Sequence, residues 1–197
     1  MLRNVLLAAA FALATTTALA ANPQVEVEFD TTAGVIKVEL YPDAAPKTVA
    51  NFLDYVKSGH YNGTQFHRVI DGFMIQGGGF TADFKEKPTK PPIPLESEAS
   101  SKAGLKNVPG TLAMARTSDP NSATSQFFIN VNDNKSLNFS TGNPGYTVFG
   151  KVVDGMDVVT KIAKAPKGAT GPVGPGINPG DVPATLVVVK SAKVIGG

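Results

Sequence analysis

Thirteen consecutive residues, from Phe66 through Arg68, Phe73, Met74 and Gln76 to Gly78, set one arginine among large apolar side chains, a glutamine and closing glycines. Arginine keeps its charge at every physiological pH and offers five donors, so placing it beside Phe73 and Met74 is costly unless a ligand arrives to accept from it. The mixture suits an apolar groove that binds an uncharged polar group, such as a peptide carbonyl or an amide nitrogen.

Other chemistries find little support. The chain has two histidines, His60 and His67, and no cysteine, so thiol catalysis and cysteine-ligated metals are excluded. A serine triad would need His67, which strand alternation points away from Arg68 and which reads as structural; His60 follows a helix stop and reads as a surface or cap residue. Asp71, Asp83, Glu86, Glu96 and Glu98 sit in turns or loops, with nothing to single out a catalytic pair. The Gly77-Gly78-Gly79 run lacks the following lysine and hydroxyl of a phosphate loop and reads as a bend at a strand end. No metal or other cofactor is expected. What remains is a reaction without nucleophile, metal or proton donor. Rotation about the bond preceding proline is one, because a donor aimed at the prolyl nitrogen weakens amide resonance, the origin of a barrier of about 18–20 kcal/mol.

The elements that must position these residues can be read along the chain. Residues 1–20 have the form of an export signal: Arg3, an apolar run over 5–13, and Ala18-Leu19-Ala20 before the cleavage point. The remainder, 21–197, suits one domain, and with no cysteine its stability must come from its core. A formal charge of +2 and the lack of a basic run interleaved with aromatics argue against a nucleic-acid partner. Val25, Val27 and Phe29, then Ile36, Val38 and Leu40, alternate with polar residues across a turn-like 31–34, which predicts an antiparallel hairpin. Pro46 opens a helix that buries Val49, Phe52, Leu53 and Val56 and stops at Gly59. Strand-like runs follow at 65–70, 73–76, 111–115, 126–131 and 146–153, then a short helix at 156–163 and a last strand at 186–194. Gly and Pro separate them, as in a barrel or a sandwich. The basic, proline-rich 85–94 and the Pro/Gly-dense 166–183 read as surface loops.

Phe66-His67-Arg68-Val69-Ile70 followed by Gly72-Phe73-Met74-Ile75-Gln76-Gly77-Gly78 resembles the signature of the cyclophilin family of peptidyl-prolyl isomerases. Gly110-Thr111-Leu112-Ala113-Met114-Ala115-Arg116, Pro120-Asn121-Ser122, Ser125-Gln126-Phe127-Phe128-Ile129 and Val148-Phe149-Gly150-Lys151-Val152 extend the likeness in family order, over about 25–194. The resemblance implies a mainly β fold, an eight-stranded antiparallel closed barrel capped by two α-helices, with the groove on its outer face. It implies Arg68 as the catalytic arginine that bonds the prolyl amide, and Phe73, Met74, Phe128 and Leu137 as the proline pocket. Gln76, Gln126 and the backbone of Ala115 and Arg116 would hold the peptide. Three positions depart from the familiar pattern. Tyr146 replaces a frequent histidine as pocket wall and suggests the bacterial branch. Arg116 replaces asparagine and adds charge at the groove's edge. Ser136 falls where an aromatic is usual. The expected role is a monomeric periplasmic isomerase, free of the membrane after signal cleavage, acting on proline-containing segments of exported proteins. A proline-peptide binding module or chaperone without turnover is the alternative, and such a module would be expected to lose Arg68. A carrier of apolar ligands is disfavoured because nothing predicts a hollow barrel.

Overall fold

The computed structural model describes residues 25–169 and 171–195. The export signal read at 1–20 lies outside them. Eight strands, β1 (Val25–Thr31), β2 (Gly34–Leu40), β3 (Arg68–Ile70), β4 (Met74–Gly77), β5 (Thr111–Met114), β6 (Phe127–Asn130), β7 (Val148–Asp154) and β8 (Val189–Ile195), form one sheet in the order β3-β4-β6-β5-β7-β2-β1-β8. Every pairing is antiparallel.

The sheet curls into a half-barrel and does not close as a continuous ladder, which corrects the expectation of a closed barrel. The edge strands β3 and β8 are not paired with each other. Instead the chain before β3 crosses the gap: Gly63 donates to the Val189 carbonyl at 2.8 Å, Val189 to Thr64 at 2.8 Å, and Phe66 to Val187 at 3.0 Å. The physical reason is local. Toward β8 this stretch forms only the isolated bridge Gln65–Val188, and β3 begins after it at Arg68 and lasts three residues.

Helix α1 (Pro46–Lys57) buries Thr48, Val49, Asn51, Phe52, Tyr55 and Val56 and is followed by Gly59 at φ +69°, a left-handed position that favours glycine. Its N-cap, Ala45, has no side-chain acceptor, and the free amides are served from far away. The Glu96 carboxylate accepts from the amides of Lys47 and Thr48 at 3.1 and 2.8 Å and from the Thr48 hydroxyl at 2.7 Å. The short α2 (Ser97–Lys102) starts directly after that glutamate; its polar sequence gave no periodic signal. Helix α3 (Met156–Ala163) has the predicted bounds and turns Val159, Ile162 and Ala163 inward.

Strand alternation divides the apolar residues between two sides of the sheet. Ile75, Leu112, Met114, Phe127, Ile129 and Phe149 enter the main core with Phe29, Phe52 and Tyr61. Their neighbours in sequence, Met74, Ala113, Phe128 and Val148, form a second cluster, against which Phe73, Ala115, Leu137 and Tyr146 pack. That second side carries the groove.

Candidate active site

Cross-strand register places the groove residues in one row. Arg68 on β3 faces Gln76 on β4, Gln76 faces Phe128 on β6, Phe128 faces Ala113 on β5, and Ala113 faces Val148 on β7. The row is polar at the β3 end and apolar toward β7. A cavity of about 430 Å³ lies along it, and all ten residues singled out from the sequence line it: Arg68, Phe73, Met74, Gln76, Ala115, Arg116, Gln126, Phe128, Leu137 and Tyr146.

Hydrogen bonding fixes the sense of the polar end. Arg68 Nη1 donates to Gln76 Oε1 at 3.3 Å, and Gln76 Nε2 donates to Gln126 Oε1 at 3.0 Å. Because arginine can only donate, the order is forced along the relay, and Gln126 is left with its Nε2 donor for a ligand carbonyl. The Gln126 side chain lies so close over Gly79 that a Cβ there would come within 2.6 Å of it. The glycine run read as a bend therefore also makes room for a groove side chain.

The apolar end is walled by a stack. The Arg116 guanidinium lies 4.4 Å from the centre of the Tyr146 ring, which meets Phe128 edge to face at 5.6 Å. Arg116 donates from Nε and Nη2 to the Gly145 carbonyl at 3.2 and 2.8 Å, and from Nη1 to Thr117 at 2.9 Å. Its side chain thus builds wall as well as placing a charge at the groove's edge. The Ala115 amide is engaged by the Gln126 carbonyl at 2.9 Å, so a backbone bond to a peptide falls to the Ala115 carbonyl or the Arg116 amide. Leu137 is seated by its own carbonyl, which accepts from Asn107 Nδ2 and the Tyr146 amide, both at 3.0 Å. Ser136 is exposed and does not line the cavity.

A second wall was not foreseen. Pro175, Gly176, Ile177, Asn178 and Asp181, with His67 and Phe80, close the cavity on the far side of Arg68. The segment read as a surface loop therefore lines the site. Its seat is firm: residues 179–181 form a 3-10 turn capped by Asn178, the following Val182 is fully buried, and Gly174 packs against the Phe84 carbonyl so tightly that a Cβ would come within 2.7 Å.

His67 is 4 % exposed and meets Phe80 edge to face at 4.7 Å. Burial pushes its imidazole down to about 4, and the Arg68 charge acts in the same direction. An unfolded histidine takes its proton near pH 6.5, whereas the folded one resists until about pH 4, so the unfolded state binds more protons between those values. Stability is full above pH 6.5 and falls as the pH drops toward 4. At pH 4.5, wild type should have lost about 2 kcal/mol more than His67→Gln, relative to pH 7. Urea unfolding of both proteins at the two pH values measures this; equal losses would remove His67 as the cause.

Among the described residues no group of three His, Asp or Glu side chains could hold a metal ion, and no helix is long and apolar enough to cross a membrane. The arrangement offers a directed cation, an outward amide donor and an apolar pocket, and no nucleophile beside a base.

Comparison with known proteins gives a consistent result. The family model described as "Cyclophilin type peptidyl-prolyl cis-trans isomerase/CLD" matches residues 25–194. The chain is 51% identical over 178 residues to peptidyl-prolyl cis-trans isomerase A of Dickeya dadantii (strain 3937), covering 90% of this chain and 88% of that one. It is 53% identical over 171 residues to peptidyl-prolyl cis-trans isomerase B of Escherichia coli (strain K12), covering 85% and 98%. Among solved structures, it is similar to a Cryptosporidium parvum cyclophilin type peptidyl-prolyl cis-trans isomerase crystallised in the presence of the dipeptide Ala-Pro. The TM-score is 0.68 and the identity 28%, over 87% of this chain and 99% of that one.

Proposed function

The chain belongs to the cyclophilin-type peptidyl-prolyl cis-trans isomerase family, and from that premise we propose that it turns X-Pro bonds of exported proteins in the groove along Arg68, Gln76 and Phe128. It is a peptidyl-prolyl cis-trans isomerase. Proline-containing peptides are its substrate class.

In the proposed mechanism the proline ring enters the apolar end, between Phe73, Met74, Phe128, Leu137 and Tyr146. Gln126, held by Gln76, and the backbone at Ala115 and Arg116 grip the peptide. Arg68 then aims a donor at the prolyl nitrogen. As the bond twists, that nitrogen loses resonance with its carbonyl and gains a lone pair, so a cation facing it binds the twisted state better than either planar one. The observation that carries this reading is the register that sets Arg68 and Gln76 in the same cross-strand row as Phe128. A protease-coupled assay on a short X-Pro peptide, wild type against Arg68→Ala, tests it.

The proposed location is the periplasm, as in a bacterial periplasmic branch, with the chain working as a monomer free of the membrane. Support comes from Arg3, the apolar run 5–13 and Ala18-Leu19-Ala20. Protein recovered from a periplasmic extract should begin at about Ala21; recovery only from the cytoplasm with Met1 retained would refute the location.

A further inference from the structure

Among the described residues, Asp181 is the one carboxylate that lines the cavity, and its Oδ2 lies 3.7 Å from Arg68 Nε. We propose that Asp181 is a positioning residue for Arg68, which sets the plane of the guanidinium so that its remaining nitrogen faces the substrate. The inference rests on the reading of Arg68 as the donor to the prolyl amide.

A guanidinium is planar, so anchoring two of its three nitrogens fixes its orientation. Gln76 accepts from Nη1 at 3.3 Å on one side, and Asp181 attracts Nε on the other. Nη2 is the nitrogen left for a ligand. An anchor is useful only if it is itself fixed, and Asp181 is. Pro179 and the Asn178 cap, which accepts from the Gly180 amide at 3.1 Å, set the turn. Val182 pins the next residue into the core, and its carbonyl accepts from Gly168 at 2.8 Å.

The pair contributes little to stability, because the two side chains are 43% and 24% exposed and such pairs are weak in water. Orientation is what it supplies. Both planar substrate and twisted transition state meet the same pocket, but only the latter depends on the direction of the Arg68 donor. Loss of Asp181 should therefore lower turnover rather than affinity.

The test is exchange NMR on a short X-Pro peptide, which gives saturated turnover and peptide affinity separately, for wild type, Asp181→Ala, Asp181→Glu and Arg68→Ala. Asp181→Ala is expected to lower turnover about three- to fivefold with affinity unchanged, its thermal midpoint staying within about 2 °C. Asp181→Glu, which restores a carboxylate within reach of Nε, should recover most of the loss. Unchanged or raised turnover in Asp181→Ala overturns the proposal. So does a loss that comes with weaker affinity or a lowered midpoint and is not recovered by glutamate, since that is the mark of a merely structural residue. If Arg68→Ala is inactive while Asp181→Ala is normal, the role of Asp181 alone fails; if Arg68→Ala turns over normally, the reading of Arg68 fails first.

Discussion

Arg68→Ala is expected to lower isomerase turnover about 10- to 150-fold and to leave folding stability nearly unchanged. The size follows from what one donor can do. Uncatalysed X-Pro isomerisation takes roughly 10–100 s, so a turnover of about 10³ per second requires a barrier lower by about 5.5–7 kcal/mol. A single charge-assisted hydrogen bond supplies about 1.5–3 kcal/mol of this. The remainder comes from the pocket, which holds the ring of proline while the preceding carbonyl swings, and it survives the substitution. Residual catalysis well above background is therefore part of the expectation. Stability should persist because the Arg68 side chain is 43% exposed and contributes nothing to the main core. Arg68→Lys should rescue poorly, since a point charge lacks the fork that meets Gln76 and Asp181 while still facing the ligand. A protease-coupled assay with a parallel thermal melt measures both quantities. Full activity in the alanine variant would end the assignment.

The opposite behaviour is expected of Phe52→Ala: a loss of about 3–5 kcal/mol in unfolding free energy, with little direct effect on the groove. Phe52 is fully buried on α1 and joins four other rings. Its ring centre is 4.9 Å from Phe149, 5.2 Å from Tyr61, 5.5 Å from Phe127 and 6.1 Å from Phe29. Those partners come from β7, from the chain before β3, from β6 and from β1, so one truncation opens a void where the helix meets the inside of the sheet. Domains of this size are stable by only about 5–15 kcal/mol, so the loss is a large share of the total. Urea denaturation at neutral pH should show the midpoint falling with little change in slope. Activity measured well below the melting temperature should stay near wild type, because Phe52 and the groove row lie on opposite sides of the sheet. A loss under about 1 kcal/mol would mean that the core collapses around the gap more readily than its close packing implies.

The parts of this fold that could be read from sequence are those with one buried face. The β1–β2 hairpin and α3 announce themselves by clean alternation or helical spacing. Strands covered on both sides do not. All four residues of β5 and of β6 are buried, and nothing in the Phe127-Phe128 pair says which ring belongs to the core and which to the groove. The family motif resolves that pair, and the register explains it. Three features lay beyond any local pattern. The cap on α1 comes from Glu96, almost fifty residues away. The wall at Pro175, Ile177 and Asp181 is built from a Pro/Gly-dense stretch whose composition states that the chain is irregular, not what it touches. The open seam between β3 and β8 is a third: the resemblance implied a closed cylinder, whereas closure depends on how long each edge strand stays in register.

The neighbourhood of β1 has a consequence for how the molecule comes into being. The first strand described is sandwiched between β2, which follows it immediately, and β8, the last strand of the sheet. A chain delivered N-terminus first, from a ribosome or through a translocation channel, can form the hairpin early but cannot cover the other edge of β1 until β8 arrives. Folding is thus deferred by topology alone until β8 has emerged, and the loop that must then be closed runs from β1 to β8. For a chain exported as proposed above, the native state would stay out of reach until β8 has crossed the membrane.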